Sequence, residues 1–144
     1  MKFVVLIKAN EKTEAGLMPS EQLLTEMTAF NEELVKAGVM LAGEGLHPSA
    51  KGARVACTKG QYVVTDGPFI ETRELICGFW IWRTNSLAEA IEWAKRIPNP
   101  HHEDGQVEIR QIFDAEDFGA EFTPELRERE EQMRAQLEAQ PHAS

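Results

Sequence analysis

Two cysteines, one tyrosine and fifteen basic residues are all that the 144-residue chain holds of those types. Cys57 and Cys77 stand in no C-x-x-C arrangement, so a disulfide framework and a zinc-binding set are both excluded; buried free thiols are expected. Against 24 acidic residues the shortage of Lys and Arg leaves a formal net charge of −9. Binding to a phosphate backbone needs clustered positive charge, so no direct nucleic-acid partner is expected. No apolar run approaches the roughly 18–20 residues that cross a bilayer. The apolar stretch at residues 3–7 is too short for a signal peptide, and a cytoplasmic protein with no membrane partner is expected. Walker, G-x-G-x-x-G, G-x-S-x-G and zinc motifs are also missing, so no bound cofactor is expected.

What is present is enough apolar material for a core, at 42% hydrophobic residues. The charge is unevenly spread. Residues 1–113 carry 15 acids and 12 bases, whereas residues 114–144 carry 9 acids and 3 bases. The chain therefore reads as a nearly neutral domain over 1–113, followed by an acidic, solvated extension over 114–144.

Residues 3–7 form a short continuous apolar run, which predicts a strand buried on both faces. Residues 9–18 are polar and read as a loop. Ser20 then caps a helix whose Leu23, Met27, Phe30 and Leu34 share one face, and Gly38 stops it. A second strand covers 39–45. Residues 53–58 and 61–65 flank Lys59-Gly60 as a two-residue hairpin, and Asp66-Gly67-Pro68 ends it. The run 75–83 is the strongest strand. Ser86 and Glu89 form a capping box for a second helix, with Leu87, Ala90, Ile91 and Ala94 inward and Pro98 at its end. Residues 99–106 are a polar loop, and 107–113 alternate as a half-buried strand. Thr123-Pro124 opens a third helix with a thin stripe of Leu126, Met133 and Leu137. Two helices cover only one face of such a sheet, yet two strands are apolar on both. A second copy of the sheet is the simplest cover, and a homodimer is expected.

Three stretches resemble a known family. They are Gly43-Glu44-Gly45-Leu46-His47-Pro48, Val64-Thr65-Asp66-Gly67-Pro68-Phe69-Ile70-Glu71-Thr72-Arg73-Glu74, and Gly78-Phe79-Trp80-Ile81-Trp82 with Ser86-Leu87-Ala88-Glu89-Ala90. Together they are similar to the DGPF proteins of the YCII-related superfamily. The resemblance implies an α+β, ferredoxin-like antiparallel sandwich that dimerises as an α+β barrel, with the helical tail appended. It implies two kinds of function. One is a cofactor-free small-molecule enzyme, a proton-transfer lyase, isomerase or hydrolase. The other is a regulatory or binding module that works with an extracytoplasmic-function sigma factor as its partner. The superfamily's enzymes use a His/Asp pair; Asp66 matches the aspartate, but the histidine position falls near Met27.

The candidate site centres on Asp66, as a general base or an anchor for a small-molecule ligand, or simply as a turn residue. A carboxylate near Phe69 and Trp80 would be partly desolvated, which suits proton transfer near neutral pH. His47 is either the acid partner or a surface loop residue. Arg54 either clamps a substrate carboxylate or pairs with Glu71 or Glu44. Phe69, Glu71 and Arg110 complete the candidate binding set, with a solvated charge as the alternative for Glu71 and cross-strand ion pairing as the alternative for Arg110. Trp80 is either a pocket wall or core. His101-His102-Glu103-Asp104 has metal-ligating residue types, but adjacent histidines point apart, and no metal site is expected.

Overall fold

Alternation along strand β1 (Lys2–Lys8) sets the layering: Phe3 and Val5 are buried under the helices, while Val4 and Leu6 face the other side half-buried. A computed structural model describes residues 1–141. After β1 come α1 (Glu11–Glu14), α2 (Glu21–Lys36), β2 (Met40–Gly45), β3 (Ala53–Thr58) and β4 (Gln61–Asp66). They are followed by β5 (Ile76–Arg83), α3 (Leu87–Ala94), β6 (Val107–Gln111) and α4 (Pro124–Ala139). Four strands make an antiparallel sheet in the order β2-β5-β1-β6, and β3 and β4 make a separate two-stranded sheet. Apart from that hairpin, this is the split β-α-β topology of a ferredoxin-like α+β fold.

The core lies between the sheet and α2 with α3. Trp80 and Trp82 of β5 join Phe3, Val5, Phe30, Leu34, Val39 and Ala90, and Met27 packs against this cluster. Phe30 meets Trp80 edge-on at 6.0 Å between ring centroids. Gly43 on β2 makes room for Trp80, because a Cβ there would stand 2.8 Å from its indole Cδ1. The helix signals hold. Ser20, Ser86 and Thr123 each accept an early backbone N–H, at 3.1, 3.1 and 3.3 Å. Gly38, at φ +71°, ends α2, with the Val39 N–H bonded to the Leu34 carbonyl at 2.9 Å. The hairpin turn at Lys59-Gly60 has positive φ at both positions, 52° and 77°, as a tight hairpin requires.

Three local expectations are corrected. The segment 9–18 is not all loop, because Asn10 caps α1. Its side chain accepts from the Thr13 N–H, and the Thr13 hydroxyl accepts from the Asn10 N–H, both at 2.9 Å. Four residues are too few for a hydrophobic period to show. The last sheet strand stops at Gln111 rather than Phe113, although the Ile112 N–H still reaches the Lys2 carbonyl at 2.8 Å. Cys57 is exposed, because both faces of the hairpin are; Cys77 is half-buried, and burial pushes its thiol pKa up.

The chain divides into two compact units, 1–112 and 113–144. The second has an organisation of its own. Phe113, Phe118 and Phe122 pack in succession as tilted rings, with centroids 5.1 and 5.2 Å apart. The Arg127 guanidinium lies 5.7 Å over Phe122 and donates to the Ala115 carbonyl at 3.1 Å. On α4, Leu126, Met133 and Leu137 are exposed. No helix among the described residues is long and apolar enough to cross a membrane.

Candidate functional site

The turn that follows β4 is held from outside its own sequence. Ser49, in a short 3₁₀ turn at Ser49–Lys51, donates its hydroxyl to the Glu14 carboxylate at 2.5 Å and accepts from the Phe69 N–H at 3.0 Å. The Ser49 N–H also donates to Glu14, at 3.0 Å, and the Gly67 N–H donates to the Gly52 carbonyl at 3.0 Å. A Cβ on Gly67 would fall 1.7 Å from the Ser49 carbonyl oxygen. Gly67 is thus required by close backbone approach, not only by turn chemistry. Neither Glu14 nor Ser49 stands out in the sequence, since each lies far along the chain from the turn it holds.

Beyond the turn, three of the candidate residues meet. The Arg54 guanidinium lies 3.8 Å over the Phe69 ring and donates to Glu71 Oε2 at 3.3 Å. Of the alternatives open for Arg54, the structure forms the pair with Glu71. The Glu71 carboxyl sits below its ordinary pKa, held there by its own backbone amide first and by Arg54 second. Glu71 also borders an open cavity of about 610 Å³, together with Asn10, Glu11, Ile70, Arg73 and Glu74. Three carboxylates against one guanidinium give this lining a negative balance.

The remaining candidates lie elsewhere. Cross-strand partners share a face, so Asp66, paired with Ala53, sits on the hairpin face of Val55 and Val64; Arg54, paired with Thr65, sits on the other. Asp66 is exposed and Trp80 is buried at 4% exposure, with its indole N–H donating to Asn31 Oδ1 at 3.0 Å. A desolvated Asp66 between Phe69 and Trp80 is therefore not formed within one chain. His47 is exposed in the loop after β2, and among the described residues no side-chain hydrogen bond joins it to Asp66. Arg110 donates to Glu108 on the same strand at 3.3 Å, and Lys8 lies 3.5 Å from that carboxylate across to β1. In the loop 99–106, His101 bonds the Ser20 hydroxyl at 2.7 Å, and Glu103 accepts from Lys12 at 2.5 Å. Lys12 holds the Glu103 carboxyl pKa down. Through these contacts the loop is tied to the start of α2 and to α1.

An uncharacterised protein of Rhizobium meliloti (strain 1021), R00369, is 30% identical over 92 residues, which covers 64% of this chain and 74% of that one. The model of the YCII-related domain matches residues 1–116. That match spans most of the chain, and the chain belongs to the YCII-related domain family.

Proposed function

We propose that the protein binds a small, polar, positively charged molecule, without a cofactor, in the cavity beside residues 70–74, and that it works as a homodimer. The observation that carries the binding reading is the double position of Glu71, which is both a wall of the cavity and the partner of Arg54. An ionised carboxylate fixed by a stacked guanidinium is preorganised to receive an amine or guanidine. The depressed pKa suits an anchor rather than a general base, because a base works best with a pKa near the operating pH. Asp66 and His47 do not line this cavity, so the reading is one of binding and assigns them no proton transfer there. The homodimer rests on the half-buried Val4, Leu6, Phe79 and Ile81, which lie on the sheet face away from the core cluster.

The test is a thermal-shift and calorimetric screen with small amines, guanidines and carboxylates as probes. Amines and guanidines should stabilise the protein, and Glu71→Gln should weaken their binding about ten-fold or more, the scale of one charge-assisted contact. Because the Glu71 pKa is lowered in the folded chain, its charge is fully present above the ordinary carboxylate range. Binding should fall only as pH drops through that depressed value. Glu71→Gln should leave stability nearly unchanged, since both partners are about half exposed. Equal binding by the variant, or preference for carboxylates, would sink the reading.

A second reading has its own support. The exposed Leu126, Met133 and Leu137 on α4 suit a protein contact, such as one with an extracytoplasmic-function sigma factor. Removing residues 114–144 should then abolish binding to the purified factor while Glu71→Gln leaves it intact. The reverse result excludes this reading.

A further inference from the structure

The β3–β4 hairpin forms its own two-stranded sheet, and such a unit is marginal in water without a cover. Its two faces differ sharply. Register places Ala53, Val55, Cys57, Tyr62, Val64 and Asp66 on one face, and Arg54, Ala56, Thr58, Gln61, Val63 and Thr65 on the other. The first face is apolar along its length, yet Val55, Tyr62 and Val64 are 66%, 76% and 64% exposed. An apolar patch of this kind marks an interaction surface. It ends in a carboxylate, Asp66, which has no ion-pair partner among the described residues.

The same chain carries a surface of complementary character. On the sheet face away from the core, Val4 is opposite Ile81 and Leu6 is opposite Phe79. At one end of this apolar block Lys2 stands directly opposite Arg83, two like charges that disfavour each other. Among the described residues neither has an ion-pair partner. One surface is an apolar strip ending in a carboxylate; the other is an apolar block, bordered on its outer strands by Glu44, Glu108 and Arg110, that ends in two cations with no ion-pair partner among the described residues. Both are present in every copy, so a two-fold pairing satisfies each of them twice.

We infer that the hairpin is an arm which docks its Val55–Tyr62–Val64 face on the sheet face of a second copy of this chain, with Asp66 directed to the partner subunit's Lys2 and Arg83. The inference rests on the homodimer reading above and specifies which surface makes the dimer. It also gives the exposed Asp66 a setting that one chain does not provide, because the second copy supplies its countercharge.

Sedimentation velocity on the full-length chain across a micromolar concentration series tests this. The wild type should sediment as a dimer. Val64→Glu should raise the dimer dissociation constant at least ten-fold with an unchanged far-ultraviolet circular dichroism spectrum, since Val64 is exposed within the chain. Asp66→Arg should also loosen the dimer, and adding Arg83→Asp to it should restore association at least in part. A wild-type dimer that Val64→Glu leaves intact overturns the docked arm while the homodimer stands. A wild-type monomer overturns both and leaves the hairpin face for a different partner. Failure of the charge exchange to restore association overturns the Asp66 contact. None of these results bears on the Glu71 cavity, which the probe screen examines separately.

Discussion

Gly67→Ala should unseat the turn after β4 and cost about 3 kcal/mol or more, toward the upper end of what overpacking does. The added Cβ would lie 1.7 Å from the Ser49 oxygen and 2.6 Å from its carbonyl carbon. Both are backbone atoms, so no side-chain rotation relieves the contact. One of the two segments has to move, and moving either breaks the Gly67–Gly52 bond and the Phe69–Ser49 bond together. Phe69 carries the stacked Arg54, so the Arg54–Glu71 pair should loosen as well. Amide exchange at Gly67 and Phe69, with the urea midpoint, measures this directly. Two other glycines serve as controls. Gly60→Ala meets no atom within 4 Å but has φ +77°, and should cost only about 1 kcal/mol. Gly45→Ala meets nothing and should be close to neutral. A Gly67 variant no worse than the Gly60 variant would refute the close-approach account.

Trp82→Ala should cost about 3–5 kcal/mol, the range for truncating a buried aromatic, out of a total that rarely exceeds about 15 kcal/mol. Trp82 has 0% exposure and sits on β5 opposite Phe3 of β1 and Met40 of β2, so the cavity would open where three strands meet. Trp82→Phe should be far milder. The indole Nε1 of Trp82 is buried with no hydrogen-bond partner among the described residues, and removing an unsatisfied donor offsets part of the lost volume. Trp80→Phe should be the more costly of the two conservative changes, because it leaves Asn31 without its 3.0 Å donor. Urea unfolding of the three variants tests the order. A Trp82→Phe variant as unstable as Trp82→Ala would show that the orphan donor carries no weight.

Much of this fold is written in short-range signals. Ser20, Gly38, Lys59-Gly60, Ser86 and Thr123 each act within a few residues, and each does in the structure what its chemistry predicts. The capped α1 escaped because Asn10 and Thr13 close a single turn without any apolar period. The cluster of Phe113, Phe118 and Phe122 escaped because the five-residue step from Phe113 to Phe118 matches neither helix nor strand. At the candidate site the legible part was the Arg54–Glu71 pairing, one of the options that charge alone allowed. What the sequence did not disclose was which residues share a face. Asp66 and Arg54 are both hairpin residues, and only the register, which pairs Ala53 with Asp66, puts them on opposite sides. The cavity was invisible for a similar reason, since it joins Asn10 and Glu11 to residues 70–74 across most of the domain.

The aromatic cluster has a consequence for how unfolding would be observed. All three tryptophans, Trp80, Trp82 and Trp93, lie in the unit of residues 1–112 and gather around Phe30 at 6.0–6.5 Å; the unit of residues 113–144 contains none. Intrinsic fluorescence therefore reports the first unit alone, whereas ellipticity at 222 nm also records the sixteen-residue α4. Two transitions that fail to coincide in this protein would mean two units melting at different temperatures, not a partly folded state of the domain.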